Sequence, residues 1–418
     1  MNFYPLTFSY RLTKRINPNF TILPRKNLHV KKVNSTRTPI YRDSGFWLND
    51  IPTMKKAFAD EDRHPVDPDF YIYSRYRNPT VVETEEELAR IEGSRWALLT
   101  QSGLAAIDIA LSISHNAASS AKWLFFSEIY GGTNSFIDKV LVARRGFDIV
   151  RFYPVNNSYS LTEFEKLMEQ HKPAVVFLEA ISNPMLIVAD VPEIVKISKK
   201  FGALVIIDNT FATPYILKPL DFGADIVVHS ATKYLAGHGN LSAGVICGNN
   251  SDLLKQAIEY RKLVGHMISP DDAYRLLDYL KSFHLRIAQH FSNAKLVAEF
   301  LDNYSIVERV LYPSLSKHPT AGIANKIFTN GFGGIVTFDI KGDSFAHKQQ
   351  RCNALIHSLS PNIRLVPTLG DADTILMPVE PVWGDKFPFP GMVRLSVGIE
   401  PSEKIITILR EALDTINF

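Results

Sequence analysis

The sequence predicts an α/β protein built on a mostly parallel β-sheet, with a smaller α+β region at its C-terminal end. Two observations predict it. Short apolar runs alternate with amphipathic helical segments through the middle of the chain, and a long helical stretch with one further strand follows them. Strands that alternate with helices are typical of βαβ units, in which helices cover both faces of a parallel sheet.

The predicted elements follow one another along the chain. Residues 1–65 read as irregular, because no helical period in them holds beyond one turn, and the polar segment 60–65 is expected to be exposed. A first helix is predicted at 83–91, where acidic residues in the first turns suit the helix dipole. Five short apolar strands come next, with amphipathic helices among them. The strands are predicted at 123–126, 174–178, 204–207, 226–228 and 244–247, and the helices at 161–170 and 192–201.

The last third of the chain has a different pattern. A long helical stretch is predicted from about residue 270, a strand at 333–340 and a closing helix near 402–415. The chain of 418 residues is long enough for about two or three domains. We therefore expect this part to form a second, smaller domain.

The composition excludes several classes of protein. Apolar residues make up 46% and charged residues 21%, as in ordinary globular chains, and the net charge of +3 is too small to imply nucleic acid. No apolar run reaches about 18 residues, so no membrane-spanning helix is expected. Cys247 and Cys352 show no metal-ligand spacing, so neither a disulfide framework nor a metal site is expected, and a reducing, cytoplasmic compartment fits best.

Basic residues are concentrated at the N-terminus. Residues 1–42 hold nine Lys or Arg and no acid. Such a segment is either an organelle transit peptide or an extended basic arm that packs on a neighbouring subunit, and we expect the arm. The first ten residues lack the basic start and the long apolar core of a secretory signal.

Polar side chains follow three of the predicted strands where each strand ends. Because the carboxyl ends of parallel strands meet at one edge of the sheet, where α/β proteins bind ligands, we expect these side chains to form a site. A single one of them could equally be a helix cap or a solvated loop residue, but the set favours a site. The residues are Glu179, Asn183, Asp208, Thr210, Ser230, Thr232 and Lys233.

These residue types suit pyridoxal phosphate (PLP), whose ring acts as an electron sink. A lysine in a partly desolvated pocket, such as Lys233, has a lowered pKa and can form a Schiff base. The hydroxyls of Ser230 and Thr232 could hold a phosphate, and Asp208 could pair with a protonated ring nitrogen. An alternative is that 230–233 is the S-x-x-K motif of penicillin-recognising enzymes, but the chain has no K-T-G motif.

A second segment fits the same cofactor. The turn Ser102-Gly103-Leu104 precedes a predicted helix at 105–112. Backbone N–H groups and the positive end of the helix dipole favour a phosphate at such a place. Taken alone this signal is weak, because many helices begin after Ser-Gly.

Several longer motifs then point to one family. The chain has Y-x-R-x-x-N-P-T at 73–80, Y-G-G-T at 130–133 and R-L-S-V-G-x-E at 394–400, with two further signature stretches at 208–214 and 229–238. It resembles the Cys/Met metabolism PLP-dependent enzymes, the group of cystathionine γ-synthase, cystathionine γ-lyase and methionine γ-lyase. The resemblance covers roughly residues 38–410.

The resemblance implies a fold-type I PLP-dependent transferase-like fold, in which a mostly parallel seven-stranded sheet forms the large domain. We then expect residues 1–65 to be an arm against a neighbouring subunit, 66–280 the PLP-binding domain and 281–418 the smaller C-terminal domain. The family also implies a homodimer with shared active sites, usually paired into a homotetramer, and an amino-acid substrate.

The resemblance further implies a role for each matching residue. Lys233 would be the Schiff-base lysine and general base, Asp208 the partner of the pyridine nitrogen, and Tyr130 the residue that stacks on the ring. Arg394 would take the substrate carboxylate, with Asn183 near it. The implied cofactor contacts are Tyr73 and Arg75, which reach the neighbouring subunit, and Ser102, Gly103, Leu104, Tyr130, Asp208, Thr210, Ser230, Thr232 and Lys233; the implied substrate contacts are Asn183, Thr368 and Arg394.

The sequence departs from the family on the substrate side. Thr368 stands where a serine is usual, Pro367 stands where cystathionine-handling members often carry Glu, and the His-Pro and Thr-His elements that follow in the family are missing. These departures argue against an enzyme that is specific for cystathionine. The L-G-D-A pattern after Thr368 favours γ-lyase or sulfhydrylase members.

The expected function is a γ- or β-elimination or replacement on a sulfur-containing or O-activated amino acid. O-acylhomoserine sulfhydrylase activity and a specialised enzyme for a modified amino acid remain open. Transamination or carbon–carbon bond formation on the same scaffold is a further alternative. A non-catalytic homologue is disfavoured, because it would be expected to lack Lys233 or Asp208.

Overall fold

The computed structural model describes residues 36–63, 65–115 and 121–416. Seven of the nine basic residues counted in residues 1–42 lie outside the described residues. The predicted α/β architecture is confirmed: the described chain forms a seven-stranded sheet and a five-stranded sheet. Within these ranges, none of the helices combines the length and the apolar character needed to cross a bilayer.

The first sheet has the strand order β1-β7-β6-β5-β4-β2-β3. It is mostly parallel, since only β7 runs antiparallel to its neighbours β1 and β6. The central strands are buried along their whole length, which explains why they are near-continuous apolar runs. The strands are β1 (Trp96–Thr100), β2 (Trp123–Phe126), β3 (Ile149–Phe152), β4 (Val175–Glu179), β5 (Leu204–Asp208), β6 (Ile226–His229) and β7 (Gly244–Gly248).

The second sheet has the order β10-β11-β12-β9-β8 and is antiparallel except between β10 and β11. A separate set of buried apolar side chains fills the space between this sheet and its helices. The strands are β8 (Val307–Leu311), β9 (Ile335–Ile340), β10 (Arg364–Leu365), β11 (Ile375–Pro378) and β12 (Met392–Ser396).

Helices connect the strands of both sheets, and a short π-helical segment joins α4 to α5. In chain order they are α1 (Ile51–Arg63), α2 (Pro79–Glu92), α3 (Gly103–Ile113), α4 (Gly131–Phe136), α5 (Ala143–Arg145), α6 (Leu161–His171), α7 (Val191–Lys200), α8 (Thr213–Ile216), α9 (Ser251–Val264), α10 (Pro270–Leu280), α11 (Phe283–Asp302), α12 (Ala321–Ile327), α13 (Phe345–Leu359), α14 (Glu380–Trp383) and α15 (Ser402–Asp414).

The prediction that residues 1–65 are irregular is wrong for α1. The Asp50 side chain accepts a hydrogen bond from the backbone N–H of Thr53 at 2.7 Å, and Pro52 follows at the start of the helix. Both are signals of a helix N-terminus. The polar segment 60–65 is not uniformly exposed either, since Glu61 is buried and forms an ion pair with Lys262 at 3.3 Å.

The sheet register places two carboxylates side by side. Glu179 is the last residue of β4 and pairs in register with Asp208, the last residue of β5. Asp208 in turn pairs with Val228 near the end of β6. The strand-end residues predicted to form a site therefore do meet at one edge of the large sheet.

Candidate active site

A cavity of about 520 Å³ opens at this edge of the large sheet, and residues from the second sheet close its other side. It brings together 13 of the 15 predicted site residues. They are Ser102, Gly103, Leu104, Tyr130, Glu179, Asn183, Asp208, Thr210, Ser230, Thr232, Lys233, Thr368 and Arg394.

Tyr73 and Arg75 are the two predicted site residues that do not line this cavity. The Arg75 guanidinium donates to the backbone carbonyl of Lys262, and its Cζ lies 5.4 Å from the centre of the Tyr73 ring. The Tyr73 side chain is 40% exposed. This placement is compatible with a role in the site of a neighbouring subunit, and that role stays a prediction.

One end of the cavity is formed by the N-terminus of α3. The Ser102 hydroxyl caps the helix by accepting from the backbone N–H of Ala105 at 3.2 Å. Gly103 allows close packing, because a Cβ there would lie 2.9 Å from the Cβ of Ser230. The first N–H groups of a helix have no partner within the helix, so this end can receive an anionic group.

The loop after β6 faces the helix terminus. The backbone N–H of Ser230 donates to the Thr210 hydroxyl at 2.8 Å. The Thr232 hydroxyl donates to the carbonyl of Ala243 and accepts from its N–H, at 3.1 and 3.0 Å. These bonds anchor the loop to Thr210, which follows β5, and to Ala243, which precedes β7. Ser230 and Thr232 both line the cavity.

Asp208 lines the cavity and is buried. Its Oδ1 accepts from both the backbone N–H and the hydroxyl of Thr210, at 3.0 and 2.5 Å, which leaves Oδ2 for a ligand. Burial raises the pKa of Asp208, and the two hydrogen bonds from Thr210 act against that rise. They favour the anionic form, which is the form that would hold a protonated ring nitrogen.

Glu179 is a second buried carboxylate in the cavity wall, next to Asp208. Burial raises the pKa of Glu179 well above its ordinary value, and the adjacent Asp208 raises it further. The backbone N–H of Tyr130 donates to Glu179 Oε1 at 2.5 Å. Of the two carboxyl groups, Asp208 is therefore the better anion and Glu179 anchors the segment that carries Tyr130.

The Tyr130 ring is 52% exposed and lies at the cavity rim. It packs across Gly132, where a Cβ would overlap the ring. A side chain at this position would therefore displace the Tyr130 ring. A planar ligand in the cavity could stack on such a ring.

Lys233 and Arg394 are held by the same residue. The Lys233 Nζ donates to the Thr368 hydroxyl at 2.7 Å, and the Arg394 Nη2 donates to the Thr368 carbonyl at 2.7 Å. Arg394 also donates through Nη1 to the Asn183 side-chain oxygen at 3.0 Å. Its buried Nε donates to no group in the described part of the chain. The guanidinium therefore has donors left for a carboxylate, which it can bind as a fork.

The Lys233 amine is easier to deprotonate than an ordinary lysine. Burial, and then the positive charge of Arg394, lower the pKa of Lys233 from 10.5 to about 8. A larger fraction of the amine is therefore neutral near neutral pH, and the neutral amine is the nucleophile that attacks an aldehyde.

This lowered pKa predicts how cofactor capture depends on pH. In the cofactor-free protein, the rate at which added PLP is captured should rise between about pH 7 and 9 and level off above that, with a midpoint near 8. Stopped-flow absorbance after mixing measures this rate. In Arg394→Met, loss of the nearby positive charge should move the midpoint to higher pH. A wild-type rate that keeps rising towards pH 10.5 would contradict the prediction.

The turn that follows Thr368 depends on a glycine at position 370. Gly370 has a φ of +75°, and a Cβ there would lie 2.8 Å from the backbone nitrogen of Tyr234 and 3.0 Å from the carbonyl carbon of Lys233. Its N–H donates to the Ser396 hydroxyl at 2.9 Å. The turn therefore packs directly on the backbone of the lysine segment, and only glycine allows this contact.

We expect Gly370→Ala to destabilise the protein and to displace Thr368. The left-handed backbone costs a non-glycine residue about 1–2 kcal/mol, and overpacking adds about 1–3 kcal/mol. Gly146→Ala is the matched control, because Gly146 has a φ of +72° but open space around its Cβ. Urea unfolding of both variants measures the difference. Equal losses of unfolding free energy would show that the contact with Lys233 and Tyr234 does not matter.

The cavity also contains residues that the sequence did not single out for it. Phe211, Met377, Val382 and Trp383 contribute apolar wall. Phe211 could have been found, because it follows the same strand end as Asp208 and Thr210. Trp383 belongs to α14, and its short, Pro- and Gly-containing segment carries no motif that indicates a site.

The residues present fit PLP. The cavity holds a lysine whose pKa is lowered, a carboxylate with one oxygen available, a helix N-terminus with hydroxyls opposite it, and an exposed aromatic ring. These are the groups that would bind an aldehyde, a ring nitrogen, a phosphate and a ring face, respectively.

Comparisons with known proteins agree with this fit. A family model described as "Cys/Met metabolism PLP-dependent enzyme" matches residues 21–414. A cystathionine β-lyase of Lactococcus lactis subsp. cremoris (strain MG1363) is 33% identical over 390 residues, which cover 92% of this chain and 95% of the relative. An L-methionine γ-lyase of Fusobacterium nucleatum subsp. polymorphum is 35% identical over 392 residues, covering 90% and 93%. A cystathionine γ-synthase of Xanthomonas oryzae pv. oryzae, solved with aminoacrylate and cysteine, superposes with a TM-score of 0.77 at 28% identity, covering 90% of this chain and 92% of that chain.

Proposed function

We propose that this chain, which belongs to the Cys/Met metabolism PLP-dependent enzyme family, is a lyase that eliminates the sulfur substituent of an amino acid from Cγ or Cβ. Family membership makes it a PLP-dependent enzyme of carbon–sulfur chemistry, as the sequence predicted. The curated relatives named above, a cystathionine β-lyase and a methionine γ-lyase, support elimination as the reaction.

The observation that carries the proposal is the shared anchoring of Lys233 and Arg394 on Thr368. One residue fixes both the amine and the guanidinium, so a substrate bound through its carboxylate has its Cα held in a constant position relative to the amine. Fixing two reacting groups in this way lowers the entropic part of the barrier. Thr368 provides the hydroxyl that a serine would, and its methyl group does not interrupt either hydrogen bond.

When bound, PLP supplies an electron sink for the electrons left by a broken bond at Cα. The chain's own residues do the rest. Arg394, steadied by Asn183, binds the substrate carboxylate and orients the amino acid. Lys233 moves protons at Cα and, for γ chemistry, at Cβ. Asp208 keeps a negative charge beside the ring nitrogen, and Tyr130 limits tilting of the ring.

The remaining predicted residues would hold the cofactor's phosphate. Within the chain, these are the α3 N-terminus at Ser102, Gly103 and Leu104, with Ser230 and Thr232 opposite; Thr210 holds Asp208 in place. We propose that Tyr73 and Arg75 complete the phosphate site of a neighbouring subunit, as the family resemblance implies.

We propose a homodimer, paired into a homotetramer. Besides the placement of Tyr73 and Arg75, a set of exposed apolar side chains on and before α1 supports an interface: Trp47 is 80% exposed, Ile51 70%, Met54 47% and Phe58 45%. Exposed apolar side chains clustered in one segment are typical of interaction sites. We also retain, as proposals, a cytoplasmic location and the division into an arm (1–65), a PLP-binding domain (66–280) and a smaller domain (281–418).

The reaction is tested with purified, PLP-loaded protein. L-cystathionine, L-methionine or an O-acyl-L-homoserine is added with and without L-cysteine, and products are identified by mass spectrometry. We expect a 2-oxo acid and ammonia without any added thiol. Products that form only when cysteine is present would make the enzyme a replacement transferase, and transfer of the amino group to an added 2-oxo acid would make it a transaminase.

A further inference from the structure

Two residues of helix α14, Val382 and Trp383, line one side of the cavity, and this helix lies outside all the motifs that carry the family resemblance. We propose that Trp383 selects the substrate's side chain, admitting an uncharged thioether substituent and rejecting one that ends in a second ammonium and carboxylate. This inference rests on the proposed function, since it concerns the amino acid bound at Arg394.

Trp383 is placed next to the group proposed to bind the substrate. The Arg394 Cζ lies 5.8 Å from the centre of a Trp383 ring, within the range of a cation–π contact. The backbone N–H of Trp383 donates to the carbonyl of Val379 at 3.0 Å, which fixes the helical turn. An amino acid bound by Arg394 would therefore extend its side chain past or along the indole.

The turn that follows α14 connects this side of the cavity to the large sheet. The Lys386 Nζ donates to the Ser127 carbonyl at 2.9 Å and forms an ion pair with the buried Glu128 at 3.3 Å. Phe387 is buried, and its ring centre lies 6.4 Å from that of Trp383. Lys386 therefore acts as a positioning residue, because it holds the α14 segment against the loop that leads to Tyr130.

Within one chain, the charged residues of the cavity offer no partner for a second charged group of the substrate, and Arg75 of a neighbouring subunit is proposed above to hold the phosphate. The cavity's charged lining residues in the described chain are Glu179, Asp208, Lys233 and Arg394. Glu179 is bound to the backbone of Tyr130, and the other three have the roles proposed above. A substrate tip with its own ammonium and carboxylate would lose its hydration without gaining an opposite charge, which is costly.

The rest of the wall suits an apolar tip. Its apolar residues include Ile181, Phe211, Leu369, Met377, Val382 and Trp383. Thioethers pack well against aromatic rings, and a methylene chain gains from being buried. Pro367 adds to this lining.

The test measures binding to the PLP-loaded protein with amino acids that cannot undergo elimination. L-norleucine is the apolar probe and meso-2,6-diaminopimelate, which ends in a second ammonium and carboxylate, is the charged probe; the change in visible absorbance of bound PLP gives each Kd. We expect wild type to bind norleucine at least about tenfold more tightly. Trp383→Ala should weaken norleucine by about tenfold, as truncating an aromatic contact residue does, and change the Kd of diaminopimelate by less than about threefold. Trp383→Phe should restore most of the preference.

Lys386→Met should change the Kd ratio in the same direction by a smaller factor, while Lys317→Met, at an exposed lysine outside the cavity, should not change it. Circular dichroism and the visible PLP band confirm that each variant is folded and loaded. An unchanged Kd ratio in Trp383→Ala, or equal affinities of wild type for both probes, would overturn the inference. A wild-type protein with no visible PLP band would overturn the proposed function itself, and the inference with it.

Discussion

Replacing Lys233 with alanine should reduce turnover by about 10⁴-fold or more. The side chain is proposed both to hold the cofactor and to move the substrate protons, and general acid–base catalysis alone supplies about 10²–10⁴-fold. No other lysine lines the cavity within the described residues, so no neighbour can take its place. The release of 2-oxo acid measures the rate. PLP should also leave Lys233→Ala on a desalting column, whereas it should stay with wild type.

The control is Lys166→Ala, which removes an exposed lysine that pairs with the nearby Glu163 on α6. It should retain wild-type turnover and PLP content. A Lys233→Ala rate within tenfold of wild type would show that Lys233 is not the catalytic base.

Replacing Arg394 with lysine should lower kcat/KM by about 10–100-fold, mostly through a higher KM. Lysine keeps the positive charge but cannot form the two-pronged contact with a carboxylate, and a hydrogen bond to a charged group is worth about 1.5–3 kcal/mol. The bonds from Arg394 to Asn183 and to the Thr368 carbonyl would also be lost. Initial rates over a range of substrate concentrations separate KM from kcat.

Arg410→Lys is the matched control, since Arg410 is exposed on α15 and its guanidinium packs on Phe300 rather than in the cavity. Its kinetic constants should match those of wild type. If Arg394→Lys keeps the wild-type KM, the substrate carboxylate must bind elsewhere.

The sequence predicted five of the seven strands of the large sheet within about one residue. The failure to predict the other two, β1 and β3, has physical causes. β3 is an edge strand and only half-buried, so its residues do not form an apolar run. β1 is fully buried and apolar but follows directly after α2, and a short apolar run is compatible with either a strand or a buried helix. The long helical stretch from residue 270 is in fact two helices, which separate around Ser282.

The cavity was predictable to the extent that its residues follow strand ends. Asp208, Ser230 and Lys233 are placed by the topology of a parallel sheet, and their residue types indicate the chemistry. Trp383 depends instead on a tertiary contact, the bond from Lys386 to the loop after β2, which spans 259 positions of the sequence. Local sequence patterns contain no information about such a contact.

The antiparallel strand β7 has a consequence for how the chain folds during synthesis. β1 is at the edge of the described sheet and has β7 as its neighbour there, so Trp96 pairs with Gly248. The strand that leads into the Ser102-Gly103 turn must therefore wait for nearly 150 further residues, roughly 7–30 s at ribosomal rates of about 5–20 residues per second. Until then the backbone of β1 lacks the partner strand with which it pairs in the folded sheet. The Ser102-Gly103 turn, which is proposed to hold the cofactor's phosphate, consequently assembles late, so we expect nascent chains truncated before residue 244 not to capture PLP.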